Sequence, residues 1–178
     1  MIDLTKKALP NTLIVNGKAY SIYTDYRVWL RFMIEVDEKQ QGFDVSYLFK
    51  NEMPEKVSIA DLMTFASPKT ELPRKIESSN EILFDFKLDS DLIFSAFMGQ
   101  YGIDLLETDL HWHKFLALLS GITEGTKLSE VMGYRAYSKN DSKSDPYEKM
   151  QRAWKIDKKH EDSALDIEAA KEFESLFI

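Results

Sequence analysis

Two apolar helical segments in the middle of the chain, separated by only a few residues, constrain its fold most strongly. The first begins at Asp89 and ends at Gly102, a residue type favoured just after a helix. The second is expected to take Thr108 as its N-cap and to end at Gly121. The apolar positions are Leu92, Ile93, Ala96, Phe97 and Tyr101 in the first segment, and Leu110, Trp112, Phe115, Leu116, Leu118 and Leu119 in the second. The short connection predicts an antiparallel pair.

A second strong local signal lies near the start of the chain. Residues 12–15 and 18–22 are short β-prone runs, and the Asn16-Gly17 dipeptide between them favours a two-residue hairpin turn. The sequence therefore predicts an N-terminal β-hairpin.

An amphipathic helix is expected directly after the hairpin. Asp25 is a good N-cap for this helix, and Gly42 is expected to end it. Its apolar positions recur at helical spacing and are Val28, Trp29, Phe32, Met33 and Val36.

Two shorter helices are predicted before the central pair. They cover residues 44–51 and 59–66, and Ser58 with Asp61 forms a capping-box pattern at the start of the second. Residues 67–80 are expected to form a loop.

The composition changes sharply at residues 138–145, which contain no apolar residue and are typical of a flexible linker. A short helix is expected before this linker, over residues 129–137. Two helices are expected after it, and their apolar stripes are Tyr147, Met150 and Trp154 in the first, and Leu165, Ala169, Phe173 and Leu176 in the second. The stripe of Tyr147, Met150 and Trp154 can pack back on the domain or dock into a partner or a second copy, and the sequence leaves both alternatives open.

Together these patterns predict a mainly helical α+β protein. A chain of 178 residues, 44% of them hydrophobic, can bury one core but is short for two ordinary domains. Residues 1–137 are expected to form a globular domain in which the hairpin packs on a helical body. Residues 138–145 are the predicted linker, and residues 146–178 form a two-helix C-terminal extension. The partner-binding hypothesis names Tyr147, Met150, Trp154, Leu165, Phe173 and Phe177.

Charge and cysteine content narrow the classes of function. The 30 Asp and Glu residues outnumber the 23 Lys and Arg residues, and the net charge of −7 argues against nucleic-acid and membrane partners. The chain has no cysteine, which excludes disulfides and thiolate chemistry. It shows no secretion signal and no apolar run near the roughly 20 residues that a membrane span needs, so a cytoplasmic location is expected.

The most tempting chemical motif is the pair His111 and His113. Imidazoles two positions apart on a helix point in different directions, whereas helical metal ligands are spaced by three or four residues. The third histidine, His160, lies in a charged stretch without a recognisable motif. We therefore expect no metal site.

Clustered acidic residues are also explained without catalysis. The sequence has two clusters of acidic residues, one of Asp85, Asp89 and Asp91 and one of Asp104, Glu107 and Asp109. Three of these residues lie at predicted helix starts, where carboxylates cap free N–H groups: Asp89, Asp91 and Asp109. No phosphate-binding loop and no combination of nucleophile and base is visible. The sequence predicts neither an enzyme nor a cofactor.

A family resemblance adds to this picture. Residues 91–122, DLIFSAFMGQYGIDLLETDLHWHKFLALLSGI, and residues 128–137, LSEVMGYRAY, resemble small proteins from tailed phages of Gram-positive bacteria. The matching positions include Gln100–Leu105, Leu110–Trp112, Phe115, Leu118-Leu119 and Arg135. His113 stands where an aromatic residue is common in that family, which further weakens a metal-site interpretation.

The resemblance implies a role in tail assembly. Genes of that family usually lie between those of the major tail protein and the tape-measure protein, the place of tail assembly chaperones. By that analogy the chain would bind the tape-measure protein, help to recruit tail-tube subunits and act in the cytoplasm of the infected bacterium. Homo-oligomer formation is compatible with this role.

Three alternatives stay open. A host-directed inhibitor or DNA mimic predicts a dense carboxylate face, whereas the acidic groups here alternate with lysines. A hydrolase or metal enzyme predicts histidines and carboxylates gathered in a pocket. A permanent structural part of the tail would be found in purified particles.

Overall fold

The computed structural model describes residues 2–38, 42–68, 82–137 and 145–156. Within these residues it is a mainly helical α+β fold with a two-stranded antiparallel hairpin and six α-helices. The strands are β1 (Thr12–Val15) and β2 (Lys18–Ser21), and the helices are α1 (Tyr26–Asp37), α2 (Ile59–Ala66), α3 (Ser90–Tyr101), α4 (Trp112–Ser120), α5 (Lys127–Arg135) and α6 (Asp145–Trp154).

The hairpin forms as predicted. Asn16 and Gly17 both have positive φ angles, 51° and 78°, which a tight two-residue turn between twisted strands requires. Leu13 and Val15 are buried while Ile14 between them is exposed, so one face of the hairpin packs inward. Helix α2 contacts β1.

Helix α1 also follows the sequence pattern. The Asp25 carboxylate accepts a hydrogen bond from the backbone N–H of Arg27 at 2.9 Å, and Trp29 and Phe32 are fully buried. The helix ends at Asp37, before the predicted Gly42.

Of the two short helices predicted next, one is confirmed and one is wrong. Helix α2 begins with the expected capping box, in which the Ser58 hydroxyl and the Asp61 carboxylate each accept a backbone N–H of the other residue. Residues 44–51 form only a 3₁₀ turn at Ser46–Leu48. The backbone there bonds to the end of β2 instead, because the N–H of Lys50 donates to the Ser21 carbonyl at 3.0 Å. The predicted loop over 67–80 lies largely outside the described residues.

Helix α3 agrees with prediction, and α4 starts later than predicted. Gly102 ends α3 in the left-handed conformation with φ 65°. The N-cap of α4 is His111 and not Thr108, because the preceding segment is held extended against the start of α1. Two backbone bonds hold it, from Trp112 N–H to the Thr24 carbonyl at 2.7 Å and from Tyr26 N–H to the Leu110 carbonyl at 2.9 Å.

The late start of α4 changes how the central helices meet. Their contacts run in the same order along both helices: the Phe97 ring stacks on Phe115 at 5.2 Å, and the Tyr101 hydroxyl donates to the Leu118 carbonyl at 2.8 Å. The antiparallel pairing was therefore predicted wrongly. The Arg27 guanidinium fixes the connection between the two helices by donating to the carbonyls of Leu105, Leu106 and Thr108.

The last two described helices lie close to their predicted positions. Helix α5 begins at Lys127, two residues earlier than expected, because the Thr126 hydroxyl caps it by accepting the Ser129 N–H at 3.2 Å. Helix α6 begins at Asp145, which was predicted to end the linker. The rest of the linker and the second helix of the extension lie outside the described residues.

Aromatic rings form the centre of the core. Trp29 lies 4.5 Å from Phe65, and Trp112 stacks on Phe115 at 5.6 Å. Both indoles are fully buried and donate to backbone carbonyls, Trp112 to that of Ala66 at 2.8 Å. None of the helices in the described part of the chain combines the length and apolar character that crossing a membrane requires.

Candidate partner-binding surface

Helix α5 separates two surfaces of different character. Leu128 and Val131 are buried and anchor the helix to the body. One flank, with Tyr134, faces α6, and the other flank, with Ser129 and Gly133, borders an open groove. The candidate site is built around this helix.

A buried arginine at the end of α5 joins four segments of the chain. The two terminal nitrogens of Arg135 donate to the two carboxylate oxygens of Asp89, at 2.6 and 2.9 Å. The same side chain donates to the Leu83 carbonyl at 3.0 Å and, through Nε, to the Trp154 carbonyl at 2.7 Å. We call Arg135, Asp89 and these two carbonyls the arginine junction.

The two charged side chains of the arginine junction are almost completely buried. The side chains of Arg135 and Asp89 are 5% and 3% exposed, and the Asp89 carboxylate also accepts the Asp85 N–H at 2.9 Å. Two parallel charge-assisted bonds match the planar guanidinium to the carboxylate. Removing either partner would leave a buried charge uncompensated, which is strongly destabilising.

Helix α6 packs back on α5 through aromatic and polar contacts. The Tyr147 ring lies 5.5 Å from that of Tyr134 and 5.9 Å from that of Tyr137. The Gln151 amide donates to the Tyr137 carbonyl at 2.6 Å. The Trp154 ring lies 5.9 Å from the Lys127 ammonium.

These contacts locate half of the predicted partner-binding residues. Tyr147, Met150 and Trp154 are half-buried, and Tyr147 and Trp154 contact the chain's own α5. The described contacts of Tyr147 and Trp154 are with the chain's own α5 region, and partner binding by this stripe stays a prediction. The other three residues, Leu165, Phe173 and Phe177, lie outside the described residues, so their role stays a prediction.

The groove on the other flank of α5 is apolar and open. It encloses about 260 Å³. The lining residues carry no charge: Leu83, Phe84, Leu119, Ser120, Ile122, Leu128, Ser129, Met132, Gly133 and Ala136. We call it the α5 groove.

Small residues make the α5 side of this groove shallow and accessible. A Cβ atom built on Gly133 would meet no atom within 4 Å. Ser129 and Ala136 lie on the same side of the helix, four residues before and three residues after Gly133. Such a surface admits the close approach of a second helix with apolar side chains.

A larger depression lies between the hairpin and residues 52–56. It encloses about 590 Å³, and the Lys18 ammonium and the Glu52 carboxylate pair across it at 2.7 Å. Both groups are exposed, and the lining carries charges of both signs. This depression has less apolar character than the α5 groove.

The two neighbouring histidines hold backbone segments together. The His111 Nδ1 atom accepts the His113 N–H at 3.0 Å, and the other His111 nitrogen contacts the Pro10 carbonyl at 2.9 Å. The His113 Nε2 atom lies 2.9 Å from the Phe65 carbonyl, while its Nδ1 atom has no hydrogen-bond partner among the described residues. Burial lowers the pKa of His113 to about 4, so this imidazole is neutral at physiological pH.

The acidic residues serve local structure in three different ways. Asp89 is the N-cap residue of α3, but its carboxylate does not make the predicted capping bond and accepts from Arg135 instead. Asp85 accepts the N–H groups of Lys87 and Leu88 at 2.7 Å. Asp109 is 99% exposed beside Arg27 and does not lie at a helix start as predicted, because α4 begins later. Within the described residues, no three His, Asp or Glu side chains are grouped so that they could hold a metal ion.

Sequence reasoning missed both the arginine junction and the α5 groove. The signals were weak: a single arginine in the last turn of a short helix, and small residues at helical spacing at positions 129, 133 and 136. Neither pattern identifies its contacts, since Asp89 is 46 residues from Arg135.

Comparisons with known proteins give one match. A family described as "Bacteriophage Gp15 protein" matches residues 6–158, most of the chain and nearly all of its described part. No curated protein and no solved structure matches.

Proposed function

Because the chain belongs to the Bacteriophage Gp15 protein family, we propose that it is a non-enzymatic tail assembly protein. In this proposal it is a chaperone that binds the phage tape-measure protein and helps to recruit subunits of the major tail protein. It acts in the cytoplasm of the infected bacterium, alone or as a homo-oligomer.

The α5 groove is the observation that carries the proposal. A tape-measure protein is expected to expose long helices with apolar stripes before the tail is built around them. A groove with an uncharged apolar lining and a small-residue wall suits such a helix, which would place its apolar side chains against Leu119, Ile122 and Met132.

The charge of the chain supports the same role. A net charge of −7 keeps a complex with an aggregation-prone partner in solution. The uncharged lining allows the partner's apolar face to be buried without desolvating an ion.

The test is co-expression with the tape-measure protein of the same phage, followed by size-exclusion chromatography with light scattering. We expect a soluble complex that contains several copies of the chain. A tape-measure protein that stays insoluble and never co-elutes would overturn the proposal and favour a host-directed binder.

Two matched glycine variants make the test specific for the groove. Gly133→Leu fills the α5 groove, and Gly99→Leu adds the same side chain at another exposed helical glycine, with no atom within 4 Å of its added Cβ. We expect the first variant, and not the second, to lose co-elution. Equal co-elution of both variants would place the contact elsewhere.

A further inference from the structure

The chain leaves α6 beside the α5 groove. The guanidinium of Arg135 bonds both to the carbonyl of Trp154, the last residue of α6, and to the carbonyl of Leu83, which lines the groove. Ala136, the next residue after Arg135, also lines it. The residues that follow α6 therefore start within reach of this surface.

The segment that follows has a sequence suited to the groove. Residues 157–178 place Leu165, Ala169, Phe173 and Leu176 at helical spacing, so that a helix would carry them on one side. Eight residues separate Ile156 from Leu165, and the nine steps from one Cα atom to the next can span up to about 30 Å. This length allows the stripe to reach any part of the α5 groove.

One other segment outside the described residues is connected in sequence to the groove lining. Residues 69–81 lead towards Leu83, but among their 13 residues only Leu72 and Ile76 are large and apolar. The C-terminal segment has five such residues, Leu165, Ile167, Phe173, Leu176 and Phe177, before Ile178. Burial of apolar surface therefore favours the C-terminal segment as the occupant.

We propose that the apolar stripe of residues 157–178 occupies the α5 groove of its own chain when no partner is bound. The contact buries the uncharged lining of the groove and the apolar stripe, so that neither is exposed to water. It also makes the segment a competitor for any helix that uses the same groove. That competition rests on the proposed function, whereas the contact itself does not.

The absence of natural cysteine allows a direct test on the full chain without any partner. The variant Gly133→Cys with Ala169→Cys places one thiol in the groove and one on the stripe. The matched control is Gly99→Cys with Ala169→Cys, since Gly99 is also exposed and has open space but does not line the groove. Both are oxidised in a glutathione buffer, and the disulfide is followed by mass spectrometry of the monomer.

We expect the Gly133 pair to form an intramolecular disulfide about tenfold faster than the Gly99 pair, because docking raises the effective concentration of the two thiols. Equal rates would overturn the proposal. A faster disulfide between two chains would also overturn it and identify a second copy as the occupant. A third variant, Gly133→Cys with Ile76→Cys, tests residues 69–81 as the occupant. If its disulfide forms faster than that of the Gly133→Cys and Ala169→Cys pair, the proposal is also overturned.

The outcome is separable from that of the proposed function. A chain can dock its own segment without binding the tape-measure protein, and the thiol experiment contains only the chain. If co-elution fails while the Gly133 pair still reacts faster, the self-contact stands and the chaperone proposal falls. If co-elution succeeds while the Gly133 and Gly99 pairs react at equal rates, the chaperone proposal stands and the self-contact is rejected.

Discussion

The surroundings of Trp112 and those of Arg135 are both buried, but they are built from opposite kinds of contact. Around Trp112, rings and aliphatic side chains from several elements pack on one another, and the indole makes one hydrogen bond, to Ala66. Around Arg135, one cation holds a carboxylate and two carbonyls. Apolar packing distributes stability over many contacts, whereas the arginine junction concentrates it in one side chain.

This difference predicts that substitutions in the two regions destabilise the protein in different ways. A change in the aromatic core weakens the whole fold, since the core contains residues of the hairpin and of α1 to α5. A change at the arginine junction also releases α6, because the Trp154 carbonyl loses its buried donor. The following predictions test this division, from the largest expected effect to the smallest.

Replacing Trp112 by alanine should cost about 4 kcal/mol of unfolding free energy, since it leaves a large cavity and an unpaired Ala66 carbonyl. Chemical denaturation measures the loss. The control is Leu106→Ala, at a side chain that is 75% exposed, with an expected change within about 0.5 kcal/mol. A loss below about 1 kcal/mol for Trp112→Ala would contradict the description of the core.

Arg135→Met should cost roughly 3 to 5 kcal/mol, because the Asp89 carboxylate remains buried without its cation. The double variant Arg135→Met with Asp89→Asn should recover most of that loss, since the neutral amide can still accept the Asp85 N–H. Denaturation of the single and double variants gives both values.

The same pair of variants separates stability from the attachment of α6. Both lack the donor to the Trp154 carbonyl, so both should lose hydrogen-exchange protection in α6. Retained protection in the double variant would show that the contacts of Tyr147, Gln151 and Trp154 hold the helix without Arg135.

Lowering the pH should destabilise the aromatic region through His113. Its pKa is about 4 in the folded chain and 6.5 in the unfolded chain, so between these values the unfolded state binds more protons. The stabilising contribution is complete above pH 6.5 and is lost as the pH falls towards 4, by up to about 3 kcal/mol. Denaturation at pH 7 and pH 4.5 measures it.

His113→Phe is the control for this pH effect. Burial also lowers the pKa of His111, which acts in the same direction and remains in the variant. We expect the variant to lose most of the pH dependence in this range. If the wild type and the variant lose stability in parallel, the effect belongs to other groups.

Tyr147→Ala should have the smallest effect, roughly 1 kcal/mol, and should be confined to α6. Hydrogen exchange should show faster opening of α6 while the global unfolding free energy is nearly unchanged. Lys149→Ala, at an exposed position on the same helix, should leave α6 as protected as in the wild type.

The aromatic region was largely predictable from the sequence, and the arginine junction was not. Local signals such as Asn16-Gly17, the Ser58 capping box and Gly102 depend on neighbouring residues alone, and all three formed as predicted. Helical periodicity correctly selected Trp29 and Trp112 for the core.

The errors arose where distant backbone segments compete for hydrogen bonds. Thr108 is a good N-cap by type, but the segment before α4 bonds to the start of α1 and delays the helix to Trp112. The backbone of residues 44–51 likewise bonds to the hairpin, where the Lys50 N–H donates to the Ser21 carbonyl. Such pairings are set by three-dimensional proximity, which composition and periodicity do not encode.

The arginine junction also sets an order of events during synthesis. It joins residues 83, 89, 135 and 154, so it can close only after α6 has emerged from the ribosome. The aromatic contacts of Trp29 with Phe65 and of Trp112 with Phe115 need a shorter length of chain and can form earlier. During translation, the aromatic core can therefore form before the Arg135 guanidinium can bond to the Trp154 carbonyl.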